Sequence, residues 1–95
     1  MIKVVAKQFI RSGKGEELKN IVADLVAETR KEEGCISYQL FQDVNDDNVF
    51  TFIEEWQSQD ALRSHMKAKH FVEAMPKLAG IQEKETEINV YTLVI

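Results

Sequence analysis

The chain has 95 residues, a formal net charge of -4 and one cysteine, and 44% of its residues are hydrophobic. A chain of this length forms one domain, residues 1–95, with a thin core. The net negative charge argues against nucleic-acid binding, which needs a basic protein surface. No apolar run approaches the roughly 20 residues that span a membrane. The lone Cys35 has no partner for an internal disulfide, which favours a cytoplasmic location.

The first part of the chain predicts a strand, a helix and a second strand. Residues 2–10 are rich in β-branched side chains, as strands are. A helix is expected from about residue 16 to 32, with Gly34 closing it. Apolar residues recur there at helical spacing and line one face: Leu18, Ile21, Val22, Leu25 and Val26. Residues 35–42 alternate and predict the second strand. Cys35 is read there as a small hydrophobic residue rather than a nucleophile.

The second part predicts a strand, a helical region and a final strand. Residues 49–56 follow an Asp- and Asn-rich turn and read as the third strand. Ser58 is a predicted N-cap, and the helix after it is expected to break near Lys69. A second helical piece follows, in which Pro76 is expected to kink or end the helix. The last strand is expected to reach the C-terminal residue, Ile95.

The predicted order is β-α-β-β-α-β, the ferredoxin-like α+β arrangement with one antiparallel four-stranded sheet and helices on one face. A sheet covered on one face alternates apolar and polar residues. Here several strands are apolar on both faces, as in Val4 with Val5 and Val90 with Tyr91. We therefore predict a homodimer packed through its sheet faces. The alternative is a monomer that leaves the second apolar face exposed to water.

Glu54 is the candidate general base. Because side chains alternate along a strand, Phe50, Phe52, Glu54 and Trp56 share one face, and Glu55 points the other way. A carboxylate among aromatic rings loses hydration, which raises its pKa towards the range that suits a base. The alternative is a solvated glutamate at the rim of the sheet.

The two histidines, His65 and His70, are the other candidate reactive groups. Five residues correspond to roughly 140° around a continuous helix, so the two rings converge only if the helix bends between them. No second cysteine or acidic cluster completes a ligand set, and no metal site is predicted. The alternatives are that His65 packs in the core beside Leu62 and that His70 caps a helix. The acidic runs at 31–33 and 82–87 are predicted to be solvated.

Four short motifs make the chain resemble the antibiotic biosynthesis monooxygenase superfamily, and within it the small quinol monooxygenases. They are Glu33-Gly34-Cys35, Glu54-Glu55-Trp56, Ala61-Leu62-Arg63-Ser64-His65 and His70-Phe71. Relatives often carry Thr-Pro before the second histidine, where this chain has Ala68-Lys69. The resemblance implies a dimeric α/β barrel that works without flavin, haem or metal.

The resemblance also implies an activity, the oxidation of a phenol or hydroquinone by O₂ with Glu54 or His65 as the base. The substrate is expected to bind between sheet and helices, against Phe52, Trp56, Tyr38, Leu62, His70 and Phe71. Two other functions stay open. One is the isomerisation of a small phosphorylated signalling sugar, and the other is a non-catalytic dimeric ligand-binding module.

Overall fold

The structure, a computed structural model, describes residues 1–95. Its strands and helices are β1 (Ile2–Ile10), α1 (Gly15–Thr29), β2 (Cys35–Gln42), β3 (Val49–Trp56), α2 (Gln59–Lys67), α3 (Lys69–Ala79) and β4 (Gln82–Thr92). The strands form one antiparallel sheet in the order β2-β3-β1-β4. This confirms the predicted α+β, ferredoxin-like arrangement, with the second helical region divided in two. No helix is long and apolar enough to cross a membrane.

The core lies between the sheet and the helices. On β3, the side chains of Phe50, Phe52, Glu54 and Trp56 are all buried, which confirms the predicted alternation. The predicted apolar face of α1 packs on this layer through Leu18, Val22 and Leu25, and these three are also buried. Glu54 is thus a carboxyl group placed on the core face of a strand by its position in the sequence.

The first helix is shorter than predicted, because α1 ends at Thr29 and not near residue 32. Backbone N–H groups of Lys31 and Glu32 donate to the carbonyls three residues before them, at 3.1 and 3.0 Å. These bonds wind the chain into tight turns after the helix. Gly34 has a positive φ of 85° but lies in the turn just before β2, so it does not close α1.

The predicted break in the second helical region is confirmed. Ala68 has an extended backbone, with φ -67° and ψ 145°, and it separates α2 from α3. Pro76 lies inside α3, which runs on to Ala79, so the expectation that it ends the helix is wrong. A proline removes one backbone donor, and the helix continues through neighbours such as the Gly80 N–H, which donates to the Pro76 carbonyl at 3.2 Å.

An apolar surface remains exposed along the edge strand β4 and beyond it. The exposed side chains are Ile88, Val90, Tyr91, Leu93, Val94 and Ile95. The strand ends at Thr92, which pairs with Ile2 at the start of β1. The expected extension of the strand to Ile95 is therefore wrong, since β1 offers no partner beyond this pair.

Gly34 joins the turn after α1 to the start of α2. A Cβ atom at Gly34 would lie 2.6 Å from the Ala61 Cβ, so only glycine permits this approach. The Gly34 carbonyl also accepts a hydrogen bond of 2.8 Å from the Gln57 N–H at the end of β3. The turn that carries residues 30–34 is therefore fixed against both the sheet and α2.

We predict that Gly34→Ala lowers the free energy of unfolding by at least about 2 kcal/mol, because backbone strain and overpacking add. Gly13→Ala is the matched control. Gly13 also has a positive φ, 82°, but a Cβ atom added there would have no neighbour within 4 Å, so only the strain of about 1 kcal/mol applies. Urea denaturation of both variants measures the difference, and equal losses would contradict the close-packing argument.

Candidate active site

An open cavity of about 630 Å³, counting the open solvent at its mouth, lies between the sheet and helices α2 and α3. Ten of its fourteen lining residues are hydrophobic, and none is a lysine or an arginine. The four polar lining residues are Gln8, Glu54, His65 and Thr86. The cavity is therefore suited to a largely apolar, uncharged ligand that makes a few polar contacts.

Glu54 places its carboxyl group in this cavity while being only 5% exposed. Burial raises its pKa to about 7, against the opposing effect of the Trp56 indole N–H, which donates to Oε1 at 2.9 Å. The negative charge of Glu32 raises the pKa further. A carboxyl group with a pKa near neutrality can both accept and return a proton, which suits a general base.

His65 is the second polar group at this end of the cavity and is 1% exposed. Its ring packs 4.7 Å from the Trp56 ring and 4.9 Å from the Phe71 ring, measured between centroids. This burial lowers the pKa of His65, although its bond to Glu32 acts in the opposite direction. The imidazole is therefore neutral, with Nδ1–H donating to Glu32 Oε2 at 2.7 Å. Nε2 is left as an acceptor without a protein partner.

Glu32 is the residue that the sequence did not reveal. Its Oε2 accepts hydrogen bonds from His65 Nδ1 and His70 Nε2, both at 2.7 Å. The prediction that residues 31–33 are a solvated run is wrong for Glu32, whose side chain is 15% exposed. The one signal in the sequence was the expected break between the histidines, which lets the two rings converge.

The ligand atoms of Glu32, His65 and His70 lie within 4.8 Å of one another, and these residue types do bind zinc. In this arrangement both ring nitrogens lie at hydrogen-bond distance from the same carboxylate oxygen. The carboxylate thus serves as the shared acceptor of two N–H groups. The expectation that no metal binds remains a prediction.

The structure brings together six of the eight predicted site residues in the cavity wall: Tyr38, Phe52, Glu54, Leu62, His65 and Phe71. Trp56 is fully buried and contacts Glu54 and His65 from behind. His70 borders the groove between α1 and α3 instead of the cavity. Sequence reasoning also missed the wall that β4 supplies through Thr86, Ile88 and Val90, because that wall depends on β4 lying next to β1.

Two further ionisable groups near the site stay protonated. Burial, followed by the charge of Glu54, raises the pKa of Tyr38, whose hydroxyl group can therefore act as a neutral hydrogen-bond donor to a ligand. Burial likewise raises the pKa of the Cys35 thiol. A protonated thiol that does not line the cavity fits the prediction that Cys35 packs as a small hydrophobic residue.

Comparison with known proteins shows which family the chain matches. The family model described as "Antibiotic biosynthesis monooxygenase" matches residues 1–77. The proposed monooxygenase YcnE of Bacillus subtilis is 34% identical over 75% of this chain and 75% of its own length. The uncharacterised protein sll1783 of Synechocystis is 32% identical over 97% of this chain, which spans 63% of that relative.

Among solved structures, a conserved protein from Methanosarcina mazei Go1 superposes with a TM-score of 0.92 and 41% identity. The match covers 95% of this chain and 89% of the other. The arrangement of strands and helices is therefore shared along nearly the whole chain.

We predict that Glu54→Gln removes a pH dependence of stability. A carboxyl group whose pKa rises from 4.5 to about 7 on folding stabilises the fold below pH 4.5, and this contribution is lost as the pH rises through 7. The unfolding free energy of the wild type, relative to Glu54→Gln, should fall by about 3 kcal/mol between pH 4.5 and 8. Urea denaturation across this range measures it.

The matched control for this experiment is Glu55→Gln, which changes the neighbouring carboxyl group on the opposite face of β3. Both variants lose one carboxyl group from β3, but only Glu54→Gln loses a buried one, so it should depart further from the wild-type profile. The contribution of His65 is common to all three proteins and cancels in the differences. Parallel profiles for the wild type and Glu54→Gln would contradict the raised pKa of Glu54.

Proposed function

Since this chain belongs to the antibiotic biosynthesis monooxygenase family, we propose that it oxidises a neutral phenol or hydroquinone with O₂ and uses no metal, flavin or haem. One observation carries the proposal: the buried Glu54, with a pKa of about 7, lies in the wall of an apolar cavity beside the neutral His65. Such a site can remove a hydroxyl proton and keep water from the product anion.

The lining of the cavity favours this substrate class over a phosphorylated sugar. A phosphate group needs cationic or backbone donors, and no lysine or arginine lines the cavity. Aromatic and aliphatic walls such as Phe52, Leu62 and Phe71 instead suit a flat, uncharged ring.

The proposed reaction begins with proton transfer from the substrate hydroxyl group to the carboxylate of Glu54. His65 Nε2, held by the bond from Nδ1 to Glu32, is the second group that can accept this proton. The resulting phenolate is a stronger reductant than the phenol, and it passes one electron to O₂. The two radicals then combine into a peroxide at a ring carbon.

Breakdown of the peroxide completes the balance of atoms. The O–O bond breaks, one oxygen atom stays on the ring as a quinone carbonyl, and the other leaves as water. The hydrogens of that water come from the substrate hydroxyl group, returned by the base, and from the ring carbon. The substrate supplies all the electrons, so the protein contributes a base, an aromatic slot and the exclusion of water.

We further propose that the protein is a homodimer. The apolar residues left exposed on the edge strand β4 and after it all lie within residues 88–95. They are Ile88, Val90, Tyr91, Leu93, Val94 and Ile95. Ile88 and Val90 also line the cavity. A second copy packed on this surface would remove it from water and narrow the mouth of the cavity.

We predict that Glu54→Gln lowers kcat for quinol-dependent O₂ uptake by about 10²- to 10⁴-fold, the usual contribution of a general base. His65→Ala should have the second largest effect, and the matched control Glu55→Gln should remain near the wild type. Uptake is measured without added metal or flavin. Full activity of Glu54→Gln with inactive His65→Ala would assign the base to His65. No uptake by the wild type with any quinol would favour the isomerase or the binding module.

We predict that light scattering gives about twice the chain mass of 10.9 kDa at micromolar concentration. Removing residues 93–95 should weaken the dimer, because buried apolar surface contributes about 25 cal/mol per Å². Val44→Ser is the matched control, since Val44 is another exposed apolar residue but lies in the turn between β2 and β3. A stable monomer in the wild type would rule out the proposed dimer.

A further inference from the structure

A cluster of polar side chains lies in the cavity wall away from Glu54 and His65, where β1 and β4 pair irregularly. The register shifts between Lys7 and Phe9, so the β4 residues opposite Gln8 are displaced. At this irregularity the side chains of Gln8, Gln82 and Thr86 bond to one another. Such irregularities occur often beside functional sites, where they redirect a side chain.

The hydrogen bonds within this cluster leave the amide nitrogen of Gln8 free. Gln8 Oε1 accepts from Gln82 Nε2 at 2.6 Å and from the Thr86 hydroxyl group at 2.8 Å. Gln82 Nε2 also donates to Thr86 Oγ1 at 2.7 Å. Gln8 is only 4% exposed and lines the cavity, yet its Nε2 donates to no protein group. The one fully buried side-chain polar atom without a partner is Thr29 Oγ1, so Gln8 Nε2 keeps some exposure and is open to an acceptor on a ligand.

The position of Gln8 relative to Glu54 limits the kind of ligand. Glu54 pairs with Val4 on β1, and Gln8 lies four residues further along the same face. At about 3.3 Å per residue, the backbone positions that carry the two polar side chains lie roughly 13 Å apart along the strand direction. Two hydrogen bonds of about 2.8 Å each leave roughly 7 Å between the bonded atoms of a ligand. This distance suits oxygens at opposite ends of two fused rings.

We propose that Gln8 determines substrate specificity by donating a hydrogen bond from Nε2 to an uncharged acceptor oxygen at the end of the ligand opposite the hydroxyl group at Glu54. This inference rests on the proposed function, which assigns the hydroxyl group at Glu54 to the substrate. Gln82 and Thr86 are positioning residues. By donating to Oε1 they fix the orientation of the Gln8 amide group and leave Nε2 towards the cavity.

Binding of three probes in the absence of O₂ tests the proposal, because no turnover can occur. The probes are 2-naphthol, with one oxygen, 6-methoxy-2-naphthol, whose far oxygen only accepts, and naphthalene-2,6-diol. Isothermal titration calorimetry compares the wild type with Gln8→Met, which keeps the length of the side chain and removes the donor. We predict that Kd rises about 3- to 10-fold for the two probes with a far oxygen and stays unchanged for 2-naphthol.

Two further variants keep the test decisive. Thr86→Val retains the shape of Thr86 but removes one donor to Gln8 Oε1, so the same two probes should lose affinity even if Gln8→Met fails to fold. Gln39→Met, at an exposed position on β2, is the matched control and should bind all three probes like the wild type.

An equal loss for all three probes, or no loss, would overturn the proposal, since it would make the cluster a structural link between β1 and β4. A loss confined to the diol would also overturn it, because the ligand would then donate to Gln8. The outcome is separate from the proposed reaction. Selective binding without O₂ uptake in the aerobic assay would reject the monooxygenase activity and leave the role of Gln8 in place.

Discussion

The site depends on one shared hydrogen-bond acceptor, the Oε2 atom of Glu32. It binds His65 of α2 and His70 of α3, and Glu32 itself lies in the turn before β2. The bend at Ala68 allows the two rings to meet, and the close approach of Gly34 to Ala61 fixes the turn against α2. Two consecutive helices and a turn more than 30 positions before their histidines are thus held at one point, and the orientation of His65 follows from it.

The two carboxyl groups near the site differ in what surrounds them. Glu32 is held by two imidazole groups behind the cavity wall, whereas Glu54 lies in the wall with only the Trp56 indole as a donor. Burial therefore raises the pKa of Glu54 to about 7. One carboxyl group positions a ring and the other is available for proton transfer, a division of roles that environment alone produces. The neutral His65 beside Glu54 adds an acceptor without adding a charge.

The cavity combines an apolar middle with polar groups at its two ends. Phe52, Leu62 and Phe71 form walls without charge, Glu54 and His65 occupy one end, and Gln8 the other. β1 sets the spacing of these ends, because Val4 and Gln8 lie on the same face of one rigid strand. Groups on strands keep their distances better than groups on loops, so the sheet holds the two polar ends of the cavity at a fixed spacing.

The order of strands and helices, and the face on which Glu54 lies, follow from local periodicity. Periods of two and 3.6 residues fix which side chains share a face. The sequence also predicted the break between His65 and His70. The tertiary structure alone decided that Glu32 joins both histidines, that Trp56 lies behind the cavity, and that β4 brings Thr86 to Gln8. The bonds of Glu32 to the histidines and of Thr86 to Gln8 join residues 33 to 78 positions apart. Local periodicity carries no information about them, since they depend on strand order, a positive-φ turn and an irregular strand pair.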